Sequence, residues 1–216
     1  MNATTELREQ ILASLDPMFG AEGFRRRKRD LSYRRQVSGS LTQAVHLNCA
    51  LYEDSGSVSV LPSVGARHDI IEHALVEAQI VSGETKDRVT IARAFAPTSY
   101  EATTVLGPAS AVDAIWADWK SVGRQHLQEL SSLEHVLSLL TSEEPLDWGY
   151  ANQGMRARLL LLALDALGRH SEALERLPRL EQNLTGRDQV RPDFAAFAAW
   201  FRSRKDLPGE NSPAAG

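Results

Sequence analysis

Residues 23–35 read GFRRRKRDLSYRR, and this stretch joins two different hydrophobic patterns along the chain. Residues 25–35, which we call the basic segment, hold seven basic residues and one acidic residue, a net charge of +6. The whole chain of 216 residues carries a net charge of −4, so the remainder carries −10. The elements on the two sides of this segment decide the fold class.

A helix is predicted before the basic segment, over residues 4–19. Apolar side chains recur there at three- and four-residue intervals, at Leu7, Ile11, Leu12, Leu15 and Phe19. Thr4 or Thr5 is the predicted N-terminal cap, because a hydroxyl oxygen can accept a hydrogen bond from the first turn. Gly20 and Gly23 predict the end of the helix.

A strand is predicted at the end of the basic segment. Leu31, Tyr33 and Val37 alternate with polar residues, as on a half-buried strand. Phe24 has the opposite parity to Leu31 and Tyr33. The sequence therefore predicts a bend or bulge within residues 25–30, with the arginines on an exposed segment.

Further short elements follow in the first half of the chain. Alternating residues predict strands over 44–51 and 58–64, each preceded by a Ser- and Gly-rich turn. Close spacing and tight turns indicate an antiparallel meander. A helix is predicted over residues 68–81 and a short strand near 88–95.

The second half of the chain shows only helical periodicity. Apolar stripes predict helices from residue 110 to a break at 143–145, and then near 152–167, 171–184 and 192–204. The sequence thus predicts an α+β fold. Its expected parts are an N-terminal helix, an antiparallel sheet meander with a packed helix, and an all-helical C-terminal region.

Composition shifts suggest three divisions of the chain. We predict an α+β domain over residues 1–105, a helical domain over 106–205 and a disordered tail over 206–216. The helical domain is expected to consist of helical hairpins that are weakly tetratricopeptide-like.

One hairpin has a recognisable turn, ALDALGRHSEALERL, at residues 163–177. Gly168 ends one helix, His170 takes an aromatic-like position and Ala173 permits close packing of the next helix. This pattern resembles the turn of a tetratricopeptide repeat. No second copy follows 34 residues away, so a single helical hairpin is favoured over a repeat array.

Composition is that of an ordinary soluble protein, with 43% hydrophobic and 24% charged residues. No apolar run approaches the ~18 residues needed to span a bilayer. The start, MNATTELREQ, lacks the basic and apolar parts of a secretory signal. Cys49 is the single cysteine, which rules out an internal disulfide. A cytoplasmic location without membrane contact is expected.

The basic segment has three interpretations. Its charges could protect an exposed sheet edge from aggregation. They could instead bind an acidic protein surface, since clustered arginines form paired hydrogen bonds with carboxylates. The third ligand is nucleic acid, with Tyr33 as the single aromatic for base stacking. A pI near 5.9 and the acidic remainder disfavour nucleic acid.

A second candidate contact lies in the stretch PLDWGYANQG, where Trp148 and Tyr150 stand in an acidic loop. An exposed aromatic of this kind can anchor a partner protein. The predicted partner-binding residues are therefore Arg25, Arg26, Arg27, Lys28, Arg29, Arg34, Trp148 and Tyr150. Inter-helix packing is the alternative role for the two aromatic residues.

Catalytic and metal-binding patterns are weak. HDIIEH at residues 68–73 places His68 near Glu72 and Asp69 near His73 on a helix, but neither spacing matches the zinc-protease motifs. Cys49 has the apolar parity of its strand, which favours a small buried side chain over a nucleophile. We expect no catalytic residue, no metal ion and no cofactor.

The N-terminal half resembles a bacterial domain family of formally unknown function. Its members often have a helix ending in Gly-Phe, basic residues, an aromatic followed by a basic residue, and a strand with Asn. The matching positions are Gly23, Phe24, Arg25, Arg26, Tyr33, Arg35, Val45 and Asn48. The resemblance covers residues 5–95 and excludes the helical C-terminal region.

Proteins with this type of domain occur among immunity proteins encoded beside polymorphic or secreted antibacterial toxins. The resemblance therefore implies a non-catalytic protein-binding module that binds and neutralises a cognate toxin with an acidic surface. Charge complementarity gives such pairs fast association and discrimination between relatives.

Two other functions stay open at the level of sequence. The first is a nucleic-acid-associated or regulatory protein that uses residues 25–35. The second is a metal-dependent enzyme built around His68 and His73.

Overall fold

The structure is a computed structural model, and it describes residues 2–27, 31–80, 88–96, 98–142, 153–184 and 191–204. The fold class is α+β, as predicted. A helix precedes a six-stranded sheet, and most of the remaining chain is helical.

The helices are α1 (Ala3–Ala21), α2 (Asp69–Glu77), α3 (Ala109–Asp118), α4 (Arg124–Leu130), α5 (Leu133–Thr141), α6 (Gln153–Ala166), α7 (His170–Leu184) and α8 (Arg191–Ser203). A π-helical turn, Trp119–Gly123, joins α3 to α4. The strands are β1 (Arg25–Arg27), β2 (Ser32–Gln36), β3 (Leu41–Tyr52), β4 (Ser57–His68), β5 (Ile91–Ala94) and β6 (Tyr100–Thr103).

Helix α1 is capped by Asn2 and not by Thr4 or Thr5. The Asn2 side-chain oxygen accepts the backbone N–H of Thr5 at 2.9 Å. Thr4 is buried, and its hydroxyl donates to the same oxygen at 3.1 Å. The amide of asparagine thus takes the capping position, because Asn is at least as good a cap as Thr.

Gly23 and Phe24 form the end of α1. Gly23 has a φ of +83°, the left-handed conformation that glycine adopts most easily. Its N–H donates to the Gly20 carbonyl, and the Phe24 N–H donates to the Phe19 carbonyl, both at 3.0 Å. The rings of Phe19 and Phe24 pack edge to face at 6.1 Å. This is a Schellman motif with its hydrophobic contact, so Gly-Phe serves as a helix stop.

The expected bend within the basic segment is instead a reversal of the chain. β1 and β2 pair antiparallel, with Arg25 opposite Arg34 and Arg26 opposite Tyr33. Leu31, the residue before β2, has a φ of +49°. The parity change between Phe24 and Tyr33 therefore reflects two strands and not one bulged strand.

The sheet is larger than the predicted meander. Its order is β1-β2-β3-β4-β5, and β6 pairs with β4 as well. Tyr33 lies opposite Val45 between β2 and β3, and Val58 lies opposite Ala102 between β4 and β6, both antiparallel. The sequence did not predict β6, because its four residues are too few to show alternation.

An aromatic cluster packs between α1, the π-helical turn and the sheet. Phe19 contacts Tyr33 at 4.6 Å and Trp119 at 5.3 Å between ring centroids. Trp119 also contacts Phe24 at 5.7 Å and Phe95 at 6.0 Å. These rings are nearly inaccessible to solvent, so they form the apolar centre of this part of the chain.

Two compact units divide the chain, and both are discontinuous in sequence. The first unit is Met1–Arg67 with Ala92–Glu129, and the second is His68–Ile91 with Leu130–Gly216. This division differs from the predicted boundary at residue 105, because α3, the π-helical turn and α4 belong with the sheet. Helix α2 belongs with the second unit. The predicted tail, residues 206–216, lies outside the described residues.

The second unit contains the predicted helical hairpin of α6 and α7. Gly168 turns the chain with a φ of +72°, and the Arg169 N–H donates to the Leu164 carbonyl at 2.8 Å. The same helix-stop geometry thus ends α1 and α6. Ala173 is fully buried at the start of α7, as close packing requires.

Among the described helices, none is both long enough and apolar enough to cross a bilayer.

Candidate functional site

Arg26 lies in an ion-pair network with α1. Its guanidinium contacts the Glu9 carboxylate at 2.7 Å and the Asp16 carboxylate at 3.2 Å. Asp16 also accepts the Tyr33 hydroxyl at 2.8 Å, and Tyr33 is 1% exposed. Arg26 therefore fastens the sheet to α1. Tyr33 is too deeply buried to stack on a nucleic-acid base.

Arg34 and Arg35 are also held within the chain. Arg34 is 8% exposed, and its Nε donates to the Ser32 hydroxyl at 3.2 Å. Arg35 donates to the Glu22 carbonyl and to the Gln43 side chain, each at 2.6 Å, and lies 4.5 Å from the Phe24 ring centroid. Contrary to expectation, Arg26 and Arg34 are thus not on an exposed segment.

Among the described residues of the basic segment, Arg25 and Arg27 are the exposed arginines. They alternate with Arg26 on β1, so their side chains leave the opposite face of the strand. In the described sheet β1 is an edge strand, with β2 as its neighbour. Strand alternation thus separates this exposed pair, which we call the edge arginines, from Arg26. Arg34 lies opposite Arg25 and therefore on the same face as the edge arginines, but it is buried.

Four predicted contact residues lie outside the described residues. They are Lys28, Arg29, Trp148 and Tyr150. Their partner-binding role stays a prediction.

His68 is placed by its hydrogen bonds within the second unit. Its Nε2 lies 2.8 Å from the Leu130 carbonyl, and the ring is 5% exposed. His73 is exposed, and Glu72 is 2% exposed and contacts Arg88 at 3.6 Å. Among the described residues, no group of three or more His, Cys, Asp or Glu is arranged to hold a metal ion.

Cys49 is half-buried on β3. Burial raises the pKa of its thiol to about 11, with a smaller opposing effect of Arg8. The thiolate, which is the reactive form, is therefore scarce at neutral pH. This environment is that of a structural cysteine.

The sequence did not predict a buried polar cluster in the second unit. Asp165 on α6 is 1% exposed, and its Oδ1 lies 2.7 Å from His170 Nδ1. Arg204 approaches Asp165 Oδ2 at 3.8 Å and stacks over the Trp200 ring. His170 stacks on Phe201 at 5.3 Å. An aspartate inside the run LLLLALDAL was the available signal, because a carboxylate in an apolar helix needs a partner.

A second buried cation lies between α6 and α8. Arg158 is 6% exposed, and its guanidinium faces the rings of Phe194 and Phe197 at 5.7 and 5.9 Å. Burial lowers the pKa of Arg158, and the Asp193 charge opposes this effect. Aromatic faces partly replace the lost solvation of such a cation.

A cavity of about 590 Å³ opens between α5, α6 and α7. Its lining residues are Leu140, Ser142, Gln153, Arg156, Ala157, Leu160, Leu180, Asn183 and Leu184. Arg156 donates from Nε to the Leu140 carbonyl at 3.0 Å and from Nη2 to the Leu139 carbonyl at 3.2 Å. Arg156 thus hydrogen-bonds the last carbonyl groups of α5, and its positive charge stabilises the C-terminus of that helix.

Comparisons with known proteins find no match among protein-family models, curated proteins or solved structures. The resemblance to the domain family found among immunity proteins therefore stays a prediction.

The Arg26 network predicts a pH-dependent stability. A hydrogen bond from Arg26 lowers the pKa of Glu9 below its usual range, although burial opposes this effect. A lowered folded-state pKa stabilises the protein above the unfolded pKa, and this contribution is lost as pH falls through the folded pKa. We expect the free energy of unfolding to decline below about pH 4.5, and less steeply in R26Q than in the wild type.

Chemical denaturation between pH 7 and pH 3 measures this effect. At pH 7, R26Q should lose about 1 kcal/mol, since the carboxylates are partly exposed. R202Q, which removes an ion pair with Glu181 on α7, is the control. Parallel pH profiles of R26Q and the wild type would contradict the role assigned to Arg26.

Proposed function

We propose that this chain is a non-catalytic protein-binding module that acts in the cytoplasm as an immunity-type inhibitor. In this function it binds and neutralises a cognate bacterial toxin. The observation that carries the proposal is the pair of edge arginines, Arg25 and Arg27, which are exposed side by side on an edge strand.

The placement of the other arginines supports this proposal. Arg26 and Arg35 are half-buried and Arg34 is buried, whereas Arg25 and Arg27 are exposed, so the edge arginines are the most accessible described part of the basic segment. Two arginines two positions apart on a strand suit an acidic protein surface, since each guanidinium can bind a carboxylate in a fork geometry. A nucleic-acid function is disfavoured, because Tyr33, the single aromatic residue of the basic segment that could stack on a base, is buried.

The test of the immunity function uses the product of the neighbouring reading frame. Cells that make this product are expected to grow only when they also make the present chain, and the two purified proteins are expected to form a complex. Growth arrest that the chain does not relieve, or a neighbouring product without toxicity, would overturn the immunity function.

The edge arginines carry a prediction about association kinetics. Replacing both by glutamate, in R25E/R27E, should slow association with an acidic partner by about tenfold at low salt and change dissociation less. The difference should shrink as salt rises. Stopped-flow binding at several salt concentrations measures both rates.

R179E is the matched control for this experiment, because Arg179 is an exposed arginine on α7 in the second unit. It should leave the association rate within about twofold of the wild type. An equal association rate of R25E/R27E and R179E would remove the edge arginines from the interface.

A further inference from the structure

Two aliphatic side chains project into solvent in the turn between β6 and α3. Val105 is 90% exposed and Leu106 is 84% exposed. No other large hydrophobic side chain in the described ranges exceeds 52% exposure. Adjacent exposed aliphatic residues are unfavourable in water unless another surface covers them.

The turn that carries these residues is tightly hydrogen-bonded. The Gly107 N–H donates to the Thr103 carbonyl at 2.8 Å, and the Leu106 N–H donates to the Thr103 hydroxyl at 3.1 Å. Gly107 has a φ of +72°, which lets the chain bridge back to Thr103. Val105 and Leu106 are therefore held outward by the backbone.

A second turn packs against the first. The Thr104 N–H donates to the Gly56 carbonyl at 2.9 Å. A Cβ atom at Gly56 would lie 2.8 Å from the Thr104 hydroxyl oxygen, so the two turns meet in contact. Tyr52, the last residue of β3, is 52% exposed at the start of this second turn. We call Tyr52, Val105 and Leu106 the apolar tip.

The strands and turns that carry the apolar tip have an acidic composition. The two sequence segments that build it, residues 36–66 and 94–119, contain no lysine or arginine. Glu53, Asp54 and Glu101 are exposed on these segments. The edge arginines lie on β1, the first strand in the sheet order. Val105 and Leu106 follow β6, which pairs with β4, three strands away from β1.

We propose that the apolar tip inserts into an apolar pocket of a partner protein whose rim carries lysine or arginine residues. Such a pocket would cover Val105 and Leu106, and the basic rim would face the carboxylates around them. An anionic membrane surface is disfavoured, because the same carboxylates would be repelled by its lipids. The inference rests on the protein-binding function proposed above and adds a second contact of different chemistry.

The experiment begins with a photo-crosslinking amino acid at position 106 of the full chain in its native host. Position 37 is the matched control, because Val37 is also an exposed aliphatic residue in a turn of the same sheet. We expect one partner to be crosslinked from position 106 and not from position 37, with the attachment point beside apolar and basic residues. The partner is identified by mass spectrometry and then purified.

Binding of the purified partner tests the chemistry. V105S/L106S should weaken binding by at least about tenfold, since burial of each aliphatic side chain contributes appreciably to affinity. V37S should leave it within about twofold. E101K should slow association at low salt, and thermal unfolding of all variants should match the wild type because the mutated residues are exposed.

Four results would overturn the inference. The first is a crosslink from position 106 no stronger than that from position 37. The second is binding by V105S/L106S that equals the wild type. The third is binding to vesicles of phosphatidylcholine with phosphatidylglycerol that V105S/L106S abolishes, and the fourth is a dimer of this chain that the same variant abolishes.

The two sets of variants also distinguish this inference from the proposed function. If R25E/R27E slows association and V105S/L106S does not weaken binding, the protein-binding function stands and the apolar tip is not its contact. If the tip variant alone weakens binding of a partner other than a toxin, the inference stands and the immunity function fails.

Discussion

Replacing Gly123 with alanine is expected to destabilise the first unit by about 1–3 kcal/mol, the usual cost of overpacking a tight core. A Cβ atom at this position would lie 2.8 Å from Cε3 of the Trp119 ring and 3.2 Å from the Phe95 ring. Both rings are buried, at 1% and 3% exposure, and a planar ring cannot yield as a flexible chain end can. The clash outweighs the gain of about 1 kcal/mol that alanine brings to a helix.

The matched control is Gly20→Ala, because Gly20 is also helical and nothing lies within 4 Å of its Cβ position. This variant is expected to be neutral or more stable by up to about 1 kcal/mol. Thermal unfolding should place G123A roughly 5–15 °C below the wild type. Equal melting temperatures of G123A and G20A would contradict the close contact of the π-helical turn with the aromatic rings.

The π-helical turn explains why Gly123 matters and why the sequence alone does not reveal it. The apolar stripe of Ala111, Ile115 and Trp119 predicts a helix, and α3 is present. An apolar stripe does not identify the surface that it covers, however. The sequence therefore predicts residues 106–129 as part of the helical domain, although they belong to the same compact unit as most of the sheet.

Local elements with strong chemical signals were predictable. Gly23 and Gly168 both predicted helix ends, and both have the positive φ that favours glycine at this position. The predicted capping residue of α1 is wrong, because Asn2 and the two threonines are all good N-caps. Their capping propensities differ too little to show which one takes the position.

The division within the basic segment needed the pairing of strands. Strand alternation separates Arg26 from Arg25 and Arg27, and the register places Arg26 opposite Tyr33, on the face that contacts α1. A count of charges treats all these arginines alike. The sequence does not predict the apolar tip for a related reason. Two apolar residues in a row do not show whether Val105 and Leu106 are buried by other parts of the chain or exposed to solvent.

Replacing Asp165 with asparagine is expected to destabilise the second unit by about 2–4 kcal/mol, because one member of a buried charge network is removed. Asparagine has nearly the same volume, so the loss reports on charge and hydrogen bonding and not on a cavity. The Asp165 carboxylate contacts His170 on α7 and Arg204 beyond the end of α8. It therefore joins three helices through one side chain.

The cost arises mainly from what remains after the substitution. Arg204 has a side chain only 9% exposed, and without the carboxylate its charge would stay desolvated. D113N is the control, since Asp113 is exposed on α3 and should change stability by less than about 0.5 kcal/mol. Urea unfolding of both variants measures the difference.

Replacing all three charged or polar members by apolar residues tests whether the charges themselves stabilise the second unit or whether filling the same volume is enough. Buried ion pairs can often be replaced by apolar residues of similar size without loss. D165L/H170F/R204M is therefore expected to recover most of the stability that D165N loses, because no buried charge is left without a partner. If D165N is as stable as the wild type, Asp165 does not stabilise the three helices. If the triple variant is less stable than D165N, the hydrogen bonds of the native network stabilise the second unit by more than removal of the unpaired buried charge does.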